Sequence, residues 1–184
     1  MKTITRILAA AVILGCAALG SAGPASADQV MEGVYTYNEP GQPIATWNLY
    51  PTCVPVVGDL REPLYLPVAC TVHVGSSTLN KTTHELEMQN YSADARLTSG
   101  LWTTTVNKPE GVVCPDGHLE KSIDIYAFDD GTLTGTHTFT HGAVCGVPAT
   151  VTKAPFTLTY VEPLPVPVER YPLVCEPAGL RICT

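Results

Sequence analysis

The chain has 184 residues, 45% of them hydrophobic and 15% charged, with ten Lys and Arg against seventeen Asp and Glu and a formal charge of −7. This composition excludes a disordered polyelectrolyte, and the acidic excess argues against a nucleic-acid partner. The length suits one domain with a substantial core.

The chain opens with a leader. Lys2 and Arg6 precede an apolar run from Ile7 to Leu19, which Gly23-Pro24 breaks ahead of the small residues Ala25-Ser26-Ala27. That is the pattern of a secretory signal peptide over 1–27 with cleavage after Ala27. The run is shorter than the ~20 residues a membrane span needs. Lipoprotein processing at Cys16 is the rival, but Leu14 stands where such signals carry a small side chain. Loss of Lys2 and Arg6 leaves eight basic residues against seventeen acidic, a formal −9. Such a chain is repelled by phosphate backbones and anionic lipid. The expected location is extracellular, with a lipid anchor at Cys16 as the alternative.

Residues 28–161 read as one β-domain. Val34–Tyr37 and Ala45–Tyr50 alternate as strands, and Pro51–Pro67 is a Pro- and Gly-punctuated connection containing Cys53. Cys70–Val74 is a short strand, and His84–Met88 alternates as a strand whose one rival is two turns of helix. Ala93–Leu97 and Leu101–Val106 pair around Ser99-Gly100. Ser122–Phe128 and Thr132–Thr140 form a hairpin whose two-residue turn is Asp130-Gly131. Phe156–Val161 closes the set. Short strands between turn signals predict an all-β fold, an antiparallel sandwich or barrel. Residues 162–184 form a Pro-rich tail, where Pro163, Pro165 and Pro167 favour an extended path.

Beyond the leader, six cysteines remain, an even number suited to three disulfides in an exported chain. Nearest-neighbour pairing joins Cys53 to Cys70, Cys114 to Cys145 and Cys175 to Cys183. No C-x-x-C occurs, so the cysteines read as scaffold rather than as a zinc site.

Chemistry is sparse. The Asp130-Gly131 register sets Asp124 opposite His137, the orienting half of a hydrolytic triad, or otherwise a partly exposed cross-strand ion pair. The same register sets Tyr126 over Gly135. No G-x-S-x-G supplies a nucleophile. His137 and His141 lie roughly 13 Å apart on a strand at about 3.3 Å per residue, too far to share one metal ion. No dinucleotide, P-loop or H-E-x-x-H motif is present. No metal, cofactor or catalytic group is therefore expected.

The leader ending in Ala25-Ser26-Ala27-Asp28, with Leu101-Trp102-Thr103, Val113-Cys114-Pro115-Asp116-Gly117, Thr132-Leu133-Thr134-Gly135 and Val144-Cys145-Gly146, resembles small secreted proteins of mycobacteria and related actinobacteria. The resemblance implies the cell envelope or medium as location and carries no activity. The expectation is a non-catalytic domain acting by binding a protein or carbohydrate partner, or as an envelope component. Tyr35, Tyr37, Trp47 and Trp102 are its candidate contacts if exposed, with core packing as the competing role. The alternatives are a hydrolase built on Asp124 and His137, and a protease inhibitor presenting the Cys53–Cys70 loop.

Overall fold

The computed structural model describes residues 30–53, 56–59, 62–64, 70–78 and 90–170. The leader, His84–Met88, Cys175 and Cys183 lie outside them. The strands are β1 (Gly33–Asn38), β2 (Ala45–Cys53), β3 (Val56–Asp59), β4 (Glu62–Leu64), β5 (Cys70–Ser77), β6 (Tyr91–Thr98), β7 (Leu101–Val113), β8 (Leu119–Asp129), β9 (Thr134–His141) and β10 (Thr150–Glu162). Eight of them close into an antiparallel barrel in the order β1-β10-β9-β8-β7-β6-β5-β2, and β3 and β4 make a separate two-stranded ribbon. The expected all-β class therefore takes the barrel form. Each barrel strand pairs with its neighbour in sequence, the ribbon is inserted between β2 and β5, and β1 seals against β10. Among the described residues, no helix is long and apolar enough to cross a membrane.

Period-2 alternation places the core. Along β2 and β5 every second residue is buried, because successive side chains of a strand point to opposite faces. Leu49, Val72, Val74, Trp102 and Phe128 are at most 1% exposed and fill the barrel toward the end that carries the Ser99-Gly100 turn. Trp102 Nε1 donates to Asp130 Oδ2 at 3.0 Å, which ties the indole to the loop at that end.

Two cross-links are where the spacing predicts them. Cys53 is bonded to Cys70, and Cys114 to Cys145. Each closes a loop of tens of residues or fewer, worth about 2–4 kcal/mol when the unfolded chain is constrained. The first joins opposed residues at the ends of β2 and β5. Within the segment it brackets, read from sequence as a Pro- and Gly-punctuated connection, lies the β3–β4 ribbon.

Pro51 lies inside β2 opposite Val72, not in the following connection. The β1–β2 ladder stops at Gly33 and Leu49, so among the described residues β2 beyond Leu49 pairs on one side only. Cys53 N–H leaves the barrel to meet Arg170 C=O at 2.7 Å. Two residues earlier the Pro51 nitrogen faces that same side, where no ladder donor is needed.

The β8–β9 hairpin differs from expectation in register. Its loop is 130–133, with Asp129 opposite Thr134. Asp129 Oδ1 accepts from Thr132 N–H at 2.6 Å, and Asp129 C=O accepts from Leu133 N–H at 3.0 Å. Leu133 takes a left-handed φ of 56° and packs against the core, its carbonyl accepting from Leu158 N–H at 2.8 Å. These bonds outweigh the preference of Asp-Gly for a two-residue turn. The ladder accordingly slides by two: Asp124 faces Phe139, Tyr126 faces His137, and Phe128 faces Gly135.

Tyr126 thus does not cover Gly135; Phe156 does. A Cβ on Gly135 would sit 2.3 Å from Phe156 Cζ and 2.7 Å from Ala127 O. Gly135→Ala is expected to cost about 1–3 kcal/mol in a denaturant titration. Gly142→Ala, where a Cβ meets nothing within 4 Å, should stay within about 0.5 kcal/mol. Equal effects at the two positions would contradict the tight packing of β9 on β10.

Candidate functional site

The other end of the barrel is hollow. Eight-stranded barrels are either filled by side chains or wide enough to hold one small ligand, and this one does each at opposite ends. A cavity of about 460 Å³ opens beside the 39–43 turn. Its floor is aromatic. Tyr37 from β1 stacks on Trp47 from β2 at 4.8 Å, and Tyr126 from β8 lies between the His137 ring at 4.5 Å and the Tyr91 ring at 5.4 Å.

Above this floor sits a charged quartet from four parts of the chain. Asp124 points inward from β8 and His137 from β9, diagonal neighbours whose Asp124 Oδ1 and His137 Nε2 are 3.6 Å apart. A slip of two residues leaves each side chain on the face it would otherwise occupy, which is why the expected pair survives the altered turn. It is not a partly exposed surface pair: the two side chains are 2% and 12% exposed.

Lys108 is the last inward residue of β7 before a bulge between Lys108 and Val112, and its ammonium meets Asp124 Oδ2 at 2.5 Å. Gly111 makes the bulge possible, since a Cβ there would lie 1.7 Å from Ser122 Oγ. Glu39 follows β1 in the turn Glu39-Pro40-Gly41-Gln42, closed by Gln42 N–H to Glu39 C=O at 3.1 Å with Gly41 at φ 83°. Proline second and left-handed glycine third are the residues a type II turn requires. This turn folds the Glu39 side chain back over the cavity, where it is 6% exposed. Its Oε2 accepts from His137 Nδ1–H at 2.9 Å and from the Tyr37 hydroxyl.

The quartet sets its own protonation. Burial disfavours charge on His137, but the carboxylates of Asp124 and Glu39, one against each ring nitrogen, outweigh it and push its pKa up to about 9. Burial likewise opposes the Asp124 charge, yet His137 and Lys108 hold its carboxyl below the usual value. Burial, with the Glu39 hydrogen bond, raises the Tyr37 phenol far above its ordinary range. The cavity thus sets the carboxyl groups of Glu39 and Asp124 against Lys108 and His137. Several buried groups keep unused hydrogen-bonding capacity: Tyr91 Oη, Ser122 Oγ, Thr104 Oγ1, Asp124 Oδ1 and His137 Nε2 lie beyond hydrogen-bond geometry of any partner among the described residues.

Tyr35, Tyr37, Trp47 and Trp102 are not exposed contacts; they are 7%, 5%, 1% and 0% exposed. All four face inward on the barrel's alternation, and only Tyr37 and Trp47 reach the cavity. Glu39, Tyr91 and Lys108 join the site without a signal in the sequence reading. His73 lies apart on the outer face, between Asp94 at 2.7 Å and Thr52 at 2.8 Å. His141 bonds Gly142 C=O at 2.7 Å and does not join His137.

Among the described residues, the group whose ligand atoms converge as a metal site's would is Cys114, His118 and Cys145, within 4.8 Å of one another. Its two sulfurs are bonded to each other, so neither is a thiolate donor. No family model matches the chain, and no curated protein or solved structure matches it.

Proposed function

We propose that this chain is an exported, non-catalytic binding protein that holds a small molecule in the open end of its barrel. The observation that carries this reading is the cavity of about 460 Å³ lined by buried polar atoms without partners. Burying an unpaired polar group costs about 1–3 kcal/mol, so a folded interior keeps such groups together where something else meets them. Export is supported by the leader and by two disulfides, which persist in oxidising compartments.

The hydrolase alternative draws less support. A general base needs a ring nitrogen with a lone pair toward the nucleophile. His137 has a carboxylate on each nitrogen and a pKa of about 9, so at neutral pH it is an imidazolium with no lone pair to offer. The inhibitor alternative rests on side chains between Cys53 and Cys70 that lie outside the described residues.

Ala154 faces the cavity from β10, and phenylalanine there would plug it. Native mass spectrometry with a panel of neutral, charged and apolar small molecules should show a one-to-one adduct on the natural protein and none on Ala154→Phe. Equal adducts on both proteins, or none on either, would sink the reading. Turnover of a chromogenic ester that is lost in His137→Gln would put the hydrolase ahead.

A further inference from the structure

Resting on the cavity as a ligand site, we infer that its ligand is a neutral, hydroxyl-rich molecule of about monosaccharide size, held through hydroxyl groups by Asp124, His137 and Lys108. Three observations narrow the class. First, charge is already balanced. Glu39 and Asp124 face Lys108 and His137 across short contacts. A net charge on the ligand would bring an unpaired ion into a buried site, which is costly, whereas a neutral ligand leaves the quartet intact.

Second, the unused valences call for a group that both gives and takes. Asp124 Oδ1 is an acceptor and His137 Nε2–H a donor, both buried; they face each other as an ion pair at 3.6 Å, too long for a hydrogen bond. A hydroxyl oxygen placed beside both donates to the carboxylate while accepting from the imidazolium. A carbonyl only accepts, and an amide nitrogen only donates. Tyr91 Oη and the remaining N–H bonds of Lys108, whose ammonium sits 5.4 Å from the Tyr91 ring centre, continue this hydroxyl-matching surface.

Third, the aromatic faces are spent on one another. Tyr126 is sandwiched by His137 and Tyr91, and Tyr37 lies on Trp47. Stacking within the floor leaves fewer ring faces for a flat aromatic ligand. At roughly 30 Å³ per water-sized group, a cavity of 460 Å³ takes about fifteen heavy atoms, enough for one sugar ring.

The test is calorimetric titration of the disulfide-intact protein at neutral pH. The probes are D-glucose, D-mannose and D-galactose, with glucosamine and glucuronate as charged counterparts and indole as the flat apolar one. At least one neutral sugar should bind in the millimolar range or tighter, and its charged counterparts at least tenfold more weakly. Tyr91→Phe, which removes the hydroxyl and keeps the ring, should weaken that sugar severalfold. Ala154→Phe should abolish it. Binding confined to the charged probes or to indole, and lost in Ala154→Phe, would overturn the sugar assignment while leaving the cavity a ligand site. Binding of no probe, or binding unchanged in Ala154→Phe, would overturn both.

Discussion

Trp47→Ala should remove about 3–5 kcal/mol of folding free energy, the range for deleting a large aromatic from a packed core. Trp47 is 1% exposed. It stacks on Tyr37 and meets Tyr126, Phe128 and Phe156 at ring separations of 5.5–5.7 Å. Each such pair adds about 0.5–1.5 kcal/mol beyond the area it buries, and a β-barrel wall held by ladder hydrogen bonds has little freedom to collapse into the gap. Trp47→Phe keeps a ring in place and should lose about half as much. Circular dichroism in guanidinium is the suitable measurement, because Trp47 is one of only two tryptophans and its removal alters the fluorescence signal itself. A loss under about 1 kcal/mol for the alanine variant would mean that the aromatic floor is loosely packed. The cavity above it would then lack the rigid base that ligand binding needs.

Much of this barrel is legible in local pattern. The alternations at Ala45–Tyr50, Ser122–Phe128 and Phe156–Val161 fall inside β2, β8 and β10, because a half-buried strand must alternate. Closure is another matter. It depends on Tyr35 meeting Tyr160 across the β1–β10 seam, a pairing of distant segments that no local signal encodes, so sandwich and barrel read alike. The same distinction governs the site. Asp124 and His137 are legible as partners because they share one hairpin, where the face of each residue survives an even slip in register. Lys108 precedes Pro109 and reads as the end of a strand. Glu39 sits in a Pro-Gly turn that reads as surface, and Tyr91 lies between Asn90 and Ser92 in a glycosylation-like pattern. Their inward direction follows only from the curvature of the closed barrel, which turns the mouth of the sheet over its own interior.

Asp124→Ala should cost about 3–5 kcal/mol at neutral pH, the range for breaking a buried ion pair by removing one partner, because it leaves Lys108 without its carboxylate and His137 with Glu39 alone. The pH dependence identifies the electrostatic part. His137 has a folded pKa of about 9 against an ordinary 6.5. The folded state therefore holds its proton more tightly, and the stabilisation is fully present below pH 6.5 and lost as pH rises through 9. By linkage the natural protein should lose about 1–3 kcal/mol across that window. Tyr37, Tyr91 and Tyr126 do not contribute to it, since all three are raised from an ordinary 10.0. Asp124 acts at the opposite end: its lowered pKa gives stability present above pH 3.8 and lost as pH falls through the folded value. Asp124→Asn keeps the shape and removes the charge, so the His137 midpoint should drop and the loss between pH 6.5 and 9 should shrink. Guanidinium titrations across this range, with the His137 ring proton followed by NMR, separate the two effects. A natural protein whose stability is flat from pH 6.5 to 9, with His137 titrating at its ordinary value, would mean that the two carboxylates do not hold the imidazolium. The balanced quartet from which a neutral ligand is inferred would fall with it.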